Sequence, residues 1–303
     1  MLRKLLTLSF AFALCMVPNL FGQAATATIT GSVLDPSGAA IAGANISVKN
    51  TGTSQTRSVT SDTQGHYSVP ELPIGQYEIE AKQSGFQTLV RTGVELTVGA
   101  APVIDLQMSI GTAEQTISVT AEVAAVETTT AALSTLINTT QMRELPLNGR
   151  NVADLVTIAG AAVRPEGAAG SSSSRSFQGD RGGAAIAVAG GLTFGVAFVL
   201  DGAVHNNPYD NLNLPLPFPD AIEEFRVETS ALNAQNGFHS GAAVNGVTKS
   251  GTNSLHGDLF EFSRNHRFNA TSPFAAINPA TGKRRDDGLN RNQFGGTLGG
   301  PIV

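Results

Sequence analysis

The sequence is poor in the residues on which many enzymes and nucleic-acid-binding proteins depend. Its 303 residues include one cysteine, no tryptophan and only 14% charged residues, with a formal net charge of -5. A single cysteine excludes a disulfide framework and a cysteine-based metal site. A weakly acidic chain lacks the basic surface that phosphate binding requires, so nucleic acid is excluded as a partner. We predict no cofactor and no metal ion.

The chain also lacks an apolar run long enough for a transmembrane helix. The most apolar run, residues 5–17, follows Arg3-Lys4 and precedes small residues. It is too short to span a bilayer, and we predict a secretory signal peptide over residues 1–25. A lipid anchor on Cys15 is the alternative, which the bulky Leu14 before it disfavours. A β-barrel is then the remaining way for the chain to cross a membrane.

The sequence is rich in glycine, alanine, threonine and serine, a composition typical of exported β proteins. Between residues 26 and 110, apolar residues alternate with polar ones, and turns such as Asp35-Pro36-Ser37-Gly38 separate the runs. Period two and closely spaced turns predict a small β-sandwich with Tyr67 and Tyr77 in its core. The expected strands are residues 29–33, 44–48, 67–69, 77–81, 94–98 and 104–108.

This first segment resembles a known domain family. The resemblance rests on residues 29–38, 41–46, 63–69 and 72–77, which read ITGSVLDPSG, IAGANI, TQGHYSV and LPIGQY. They resemble the carboxypeptidase regulatory-like domain, a transthyretin-like sandwich also grouped with carbohydrate-binding-like folds. No zinc-ligand trio with a glutamate base is present, so peptidase activity is not expected. His66 stands alone and is interpreted as a surface or core-edge residue.

A polar, β-prone octamer follows the sandwich, within a linker predicted over residues 111–124. Its residues are Glu114, Gln115, Thr116, Ile117, Ser118, Val119, Thr120 and Ala121. By pattern it is either a linker or an edge strand. It resembles the TonB box of outer-membrane active transporters, which implies an inner-membrane TonB-type energising protein as partner. Such a segment can add itself as a strand to a partner's sheet through main-chain hydrogen bonds.

Residues 125–251 form the next predicted unit. We expect residues 128–137 to be extended, residues 139–144 to form a helical turn, and residues 151–159 to form a short helix that ends at Gly160. The helix would bury Val152, Leu155 and Val156, with Asn148 or Asn151 as its cap. Residues 167–183 are rich in glycine and serine and predict a mobile loop. Strands are expected at residues 184–188 and 195–200.

The most specific motif of the chain lies in this unit. It comprises Leu145, Pro146, Leu147, Asn148, Gly149, Arg150 and Asn151, with Asp201 and Gly202 after a predicted strand. These residues resemble the plug domain in the Oar-like branch of TonB-dependent receptors. Arg150 is either an anion ligand or a polar contact within the plug or to the barrel wall, and the pattern favours the contact.

The stretch from residue 219 to 251 closes the predicted plug. Alternation and β-branched residues predict strands at residues 225–229 and 242–249, after an acidic turn at residues 221–224. Glu223 and Glu224 form a possible carboxylate pair for acid–base chemistry. Because no base or metal motif accompanies them, we interpret them as the polar face of a helical turn.

One loop joins polar groups to an aromatic ring and is a candidate for ligand contact. Its residues are His205, Asn206, Asn207, Tyr209 and Asp210. The alternative is a solvated loop, since Asn and Pro favour turns. The spacing matches no metal site.

Residues 252–303 change in character. Residues 255–263 and 292–303 resemble the first two strands of an outer-membrane barrel, with Phe294 and Leu298 on one face and Gln293 and Thr297 on the other. Plugged transporters use about 22 such strands. We therefore expect this chain to be the amino-terminal part of a longer receptor with a truncated barrel.

The predicted fold class is mainly β: a sandwich, an α+β plug domain and the first strands of a transmembrane barrel. The resemblance implies a TonB-dependent outer-membrane receptor with a periplasmic amino-terminal domain, which takes up an extracellular nutrient. An enzyme is not expected, because the scattered histidines lack partners at motif spacing. The alternative function is a secreted or surface carbohydrate-binding or adhesive β-sandwich protein.

Overall fold

The computed structural model describes residues 26–111, 116–120, 132–145, 147, 150–163, 185–230, 239–271, 273–285 and 288–301. The predicted signal peptide and the predicted loop at residues 167–183 lie outside these residues. Within the described ranges, none of the helices is long and apolar enough to cross a membrane.

The first unit is a β-sandwich, as the sequence predicts. Its strands are β1 Thr26–Leu34, β2 Asn45–Asn50, β3 Thr56–Thr60, β4 His66–Pro73, β5 Gly75–Lys82, β6 Thr88–Leu96, β7 Leu106–Gln107 and β8 Thr116–Thr120. One sheet has the order β4-β1-β7, and the other has the order β3-β2-β5-β6-β8. β1 pairs with β7 in parallel, and β8 pairs with β6 in parallel.

The sandwich core follows from the alternation in the sequence. Every second residue of β1 is buried, from Ala27 to Val33, and β5 buries Tyr77, Ile79 and Ala81. Burying one such aliphatic side chain contributes about 1.5–3 kcal/mol, so a core of this kind stabilises both sheets together. The prediction that Tyr67 and Tyr77 belong to the core is confirmed, with exposed fractions of 4% and 2%.

The sandwich differs from the prediction at its edges. Strand β3 was not predicted, because Val59 is the single aliphatic residue of its sequence TRSVT and none of its side chains is fully buried. Strand β6 begins at Thr88, six residues before the predicted Val94. Residues 116–120 form an edge strand rather than a free linker. The sequence of an edge strand shows only a weak alternation of apolar and polar residues, because few of its side chains face a core.

The second unit combines short helices with a five-stranded sheet. Its elements are β9 Leu133–Asn138, α1 Thr139–Glu144, a 3-10 helix Val152–Ala159, β10 Ala162–Val163, β11 Ala187–Val188, β12 Val196–Leu200, β13 Ala203–Val204, a 3-10 turn Pro219–Ala221, β14 Ile222–Ser230 and β15 Ala242–Thr248. The sheet has the order β13-β12-β15-β14-β9. β10 and β11 form a separate antiparallel pair.

Local sequence signals set the two helices. Asn138 caps α1: its side chain accepts from the Gln141 backbone N–H, and the Gln141 side chain accepts from the Asn138 N–H. This reciprocal capping box satisfies two otherwise unpaired donors. Asn151 caps the second helix by accepting from the Ala153 N–H at 3.1 Å. The predicted helix positions and the buried stripe of Val152, Leu155 and Val156 are confirmed.

Strand β14 is covered on both faces. Phe225 and Val227 point into the core beneath the 3-10 helix, whereas the alternate residues Glu224, Arg226 and Glu228 are also buried. The interpretation of Glu223 and Glu224 as the face of a helical turn is therefore wrong. The 3-10 turn ends at Ala221 and both glutamates belong to β14. The backbone of Val98, in the sandwich, contacts Glu224 and Arg226 on this charged face.

The carboxyl-terminal strands β16 His256–Asn265 and β17 Asn290–Gly299 form an antiparallel hairpin. One face carries large apolar side chains that remain exposed: Leu259 at 93%, Phe294 at 80% and Leu298 at 82%. The other face carries Asp258, Phe260 and Phe262, which contact the second unit. The two-faced alternation predicted for these strands is confirmed.

We expect the substitution Gly31→Ala to lower the free energy of unfolding of the sandwich by about 1–3 kcal/mol, the usual cost of overpacking. A Cβ at position 31 would collide with the backbone carbonyl of Ile104, which cannot swing away. Chemical denaturation followed by circular dichroism measures the effect. The matched control is Ser32→Ala on the opposite face of β1, and equal effects of the two substitutions would contradict the packing argument.

Candidate functional site

Arg150 lies at the centre of a junction between the second unit and the hairpin. Its guanidinium donates to the Asp220 carboxylate, with Nη2 and Oδ2 2.5 Å apart. Both side chains are buried, with exposed fractions of 9% and 4%. The Arg150 backbone has a φ of 54°, a region that non-glycine residues seldom adopt. Such a conformation costs about 1–3 kcal/mol.

A line of alternating charges extends from this pair to the hairpin. Arg143 of α1 lies 3.8 Å from Asp220 and 3.6 Å from Asp258 of β16. The Lys249 ammonium lies 3.3 Å from the other oxygen of Asp258. Each carboxylate therefore lies between two cations. The inward face of the hairpin is thereby tied to α1 and to the end of β15.

Aromatic rings complete the junction. The Arg150 guanidinium carbon lies 3.8 Å from the centroid of the Phe262 ring and 5.4 Å from that of Phe260. Phe218, just before the 3-10 turn, contacts Phe260 with centroids 5.3 Å apart. A cation over a ring face contributes about 0.5–2 kcal/mol, depending on its desolvation. Arg150 thus binds a carboxylate within the second unit and two rings on the hairpin.

The contacts of the junction hold the second unit and the hairpin together. Among the described residues, no cluster of three or more metal-ligating side chains occurs. Arg150 makes an ion pair within the second unit and cation–π contacts with two rings of the hairpin. Asp220 occupies the position that an anionic ligand of Arg150 would take.

The other motif residues have structural positions. Leu145 and Leu147 pack against the core of the second unit, and Asn151 caps the 3-10 helix. Asp201 turns the chain after β12, where its carboxylate accepts from the Thr248 N–H at 2.8 Å and from the Thr248 hydroxyl at 2.9 Å. Gly202 continues that turn with a φ of 83°. Pro146, Asn148 and Gly149 lie outside the described residues.

The candidate ligand loop is largely bonded to itself. Asn206 is buried: it accepts from the Phe198 N–H and donates to the Val196 and Asn211 carbonyls. His205 contacts the Pro215 carbonyl at 3.1 Å. Asn207 and Asp210 accept from backbone N–H groups two residues ahead. Tyr209 has an exposed fraction of 82%, so it is the member best placed to meet a ligand. Ligand contact by this loop stays a prediction.

The box-like octamer is described only in part. Residues 116–120 pair along their backbone with residues 88–92 of β6, in register from Thr88 opposite Thr116 to Thr92 opposite Thr120. Glu114, Gln115 and Ala121 lie outside the described residues. The main-chain groups on one side of this segment are therefore already engaged within the chain.

Sequence reasoning missed most of the junction. Asp220, Arg143 and Asp258 come from three elements far apart along the chain, so no local spacing relates them. Phe260 and Phe262 carried a detectable signal, because their period-two spacing with Asp258 marks one face of a strand. What they contact could not be inferred from that spacing.

Two family models match this fold. Residues 28–109 match the carboxypeptidase regulatory-like domain, and residues 247–303 match an outer membrane beta barrel domain. The match to an outer membrane beta barrel domain points to the outer membrane.

A curated relative extends the similarity across almost the whole chain. The chain is 24% identical over 298 residues to the TonB-dependent transporter Oar of Myxococcus xanthus, with 94% of this chain aligned. It spans 26% of the length of that relative. The resemblance to TonB-dependent receptors predicted from the sequence is therefore confirmed, and the matches support an outer-membrane transport role.

Solved structures add no functional argument. The Bacillus anthracis TIE protein is 21% identical and aligns with 28% of this chain and 17% of its own, at a TM-score of 0.25. Hydroxyquinol 1,2-dioxygenase from Pseudomonas putida is 11% identical and aligns with 30% of this chain and 58% of its own, also at 0.25. Scores this low carry no inference about activity.

We expect Asp220→Asn to lower the free energy of unfolding of the second unit by about 3–5 kcal/mol, because it leaves the buried Arg150 without a counter-charge. The control Asp258→Asn removes a more exposed carboxylate and should cost about 0–1 kcal/mol. Denaturant titration of both variants measures the difference. Equal losses would show that burial does not determine the strength of these pairs.

Proposed function

We propose that this chain forms the periplasmic domain, the plug and the first barrel strands of a TonB-dependent receptor that takes up an extracellular nutrient. The sandwich is the periplasmic domain, residues 125–251 are the plug, and residues 252–303 begin the barrel wall. An inner-membrane TonB-type protein captures residues 114–121 and uses the proton-motive force to move the plug. The plug then opens a path to the periplasm.

The observation that supports gating is the unequal strength of the contacts at the junction. Arg150 and Asp220 form a buried pair inside the proposed plug. The pairs that reach the hairpin, from Arg143 and Lys249 to Asp258, are longer and more exposed. Exposed pairs contribute about 0–1 kcal/mol each, whereas breaking a buried pair costs several times more. A displacement of the plug would therefore separate it from the wall and leave its own fold intact.

Phe260 and Leu259 offer a direct test, since they are adjacent on β16 but face opposite sides. Phe260 lies in the junction, and Leu259 has an exposed fraction of 93%. In receptor-expressing cells, Phe260→Cys should react faster with a membrane-impermeant maleimide when the cells are energised than after addition of a protonophore. Leu259→Cys is the control and should not respond to energisation. Cys15, the single cysteine of these 303 residues, lies in the predicted signal peptide, and the receptor without an introduced cysteine measures the background labelling.

Equal labelling of Phe260→Cys with and without the protonophore would refute the proposed gating. When Val119→Pro is combined with Phe260→Cys, the proposal expects equal labelling with and without the protonophore, because Val119→Pro should disconnect the plug from its energy source.

Capture of the octamer is possible at the edge of the sandwich. Residues 116–120 pair with β6 on one side and end the sheet order, so a partner sheet can add to their other side. Strand addition of this kind depends on the segment's main-chain N–H groups.

A peptide of residues 114–121 should bind the periplasmic domain of a TonB-type protein in a pull-down. Val119→Pro should abolish binding, because proline removes a main-chain donor. Ser118→Ala keeps every backbone group and should bind like the unchanged peptide. Binding that survives Val119→Pro, or no binding at all, would count against residues 114–121 as the contact.

A further inference from the structure

We propose that the sandwich is held on the five-stranded sheet by a proton-dependent latch, which Glu224 and Arg226 of β14 form around the backbone of Val98. The latch is a contact within the chain, and the inference does not depend on the transport proposal. It links two units that the sequence presents as separate.

Both hydrogen bonds of the latch are made to the backbone of a single residue, Val98. The Val98 N–H donates to Glu224 Oε2 at 2.7 Å, and the Val98 carbonyl accepts from Arg226 Nη1 at 3.0 Å. Glu224 and Arg226 lie two residues apart and therefore share one face of β14. One acceptor and one donor thus hold both backbone groups of a residue that lies just beyond β6 and is 3% exposed.

A second contact joins the sandwich to the segment between β15 and β16. The Asn253 backbone N–H donates to the Gly52 carbonyl at 3.0 Å, and the Asn253 side chain donates to the Thr53 carbonyl at 3.0 Å. These groups do not titrate, so they hold the sandwich at any pH. The latch adds a titratable component to a contact that persists without it.

Burial makes Glu224 the titratable member. Its exposed fraction is 9%, and removing a carboxylate from water disfavours its ionised form. This burial, opposed by the Val98 N–H and reinforced by Glu223 and Glu95, raises the pKa of Glu224 from 4.5 to about 7. Arg226 lowers that pKa, but it also lies 3.6 Å from Glu228, which competes for its charge.

The sign of the pH dependence follows from the raised pKa. A docked sandwich buries Glu224, whereas separation returns it to water and to its ordinary pKa. The docked state therefore binds the proton more tightly, and docking is strongest below about pH 4.5. Docking weakens as the pH rises from about 4.5 to about 7, and it is constant above that range. Protonation leaves Oε2 as an acceptor for Val98, so the hydrogen bond survives in the neutral form.

Hydrogen–deuterium exchange of the Val98 amide in the full chain tests the latch, with rates corrected for the intrinsic pH dependence of exchange. We expect protection to fall by up to about two orders of magnitude across the titration window, since one pKa unit corresponds to a factor of ten. Glu224→Gln keeps an acceptor for Val98 but cannot ionise, so its protection should not change with pH.

Glu95→Gln provides a second test that leaves the latch residues in place. It removes one like charge facing Glu224, so the fall in protection should shift to lower pH. Glu144→Gln, an exposed change in α1, is the control and should reproduce the wild-type curve. Protection that is flat in the wild type, a slope that persists in Glu224→Gln, or an unmoved curve in Glu95→Gln would each overturn the proposal.

Discussion

The arrangement of the chain depends on burial of the charged face of β14. Phe225 and Val227 on one face pack into a core, while Glu224, Arg226 and Glu228 on the other are withdrawn from water. Charged groups are buried at a cost unless they have partners. Here the partners are the Val98 backbone and the charges themselves. A sheet that would otherwise expose a charged surface therefore requires the sandwich to sit on it.

On the side of the second unit that contacts the hairpin, the charged side chains form a line of ion pairs. At the junction with the hairpin, two carboxylates alternate with three cations, and the Arg150–Asp220 pair is more deeply buried than the two pairs that reach Asp258. Arg150, at the buried end of this line, contacts two aromatic rings of the hairpin in addition to the Asp220 carboxylate. This difference in burial favours separation at Asp258 before separation at Asp220, because solvent weakens the exposed pairs most.

The sequence was sufficient to predict elements that depend on neighbouring residues. Alternation in β14 and β15, the asparagine before the 3-10 helix and the two-faced hairpin all follow from spacings within one element. Features that depend on distant residues could not be predicted. The EEFRVET alternation looks like a strand or turn with one face in solvent, and nothing in it indicates that a second domain covers that face.

The same limit applies to Asp220 and Asp258. Each is an ordinary acidic residue beside a proline or a glycine, and each pairs with an arginine far away along the chain, Arg150 for Asp220 and Arg143 for Asp258. Arg150 is the exception, because a specific motif surrounds it in the sequence. Even there, the motif indicates a polar contact and leaves the identity of the partner open.

The parallel pairing of β8 with β6 has a consequence for competition. Parallel neighbouring strands need a long connection, and residues 97–115 connect β6 to β8. Strand β8 therefore binds the sandwich as a segment that is covalently attached to it. A tether of this length corresponds to an effective concentration on the order of millimolar. Five backbone pairs can hold the strand in place at such a concentration even if their intrinsic affinity is weak. An outside sheet with a dissociation constant in the micromolar range would have to be present well above that constant to take the strand away.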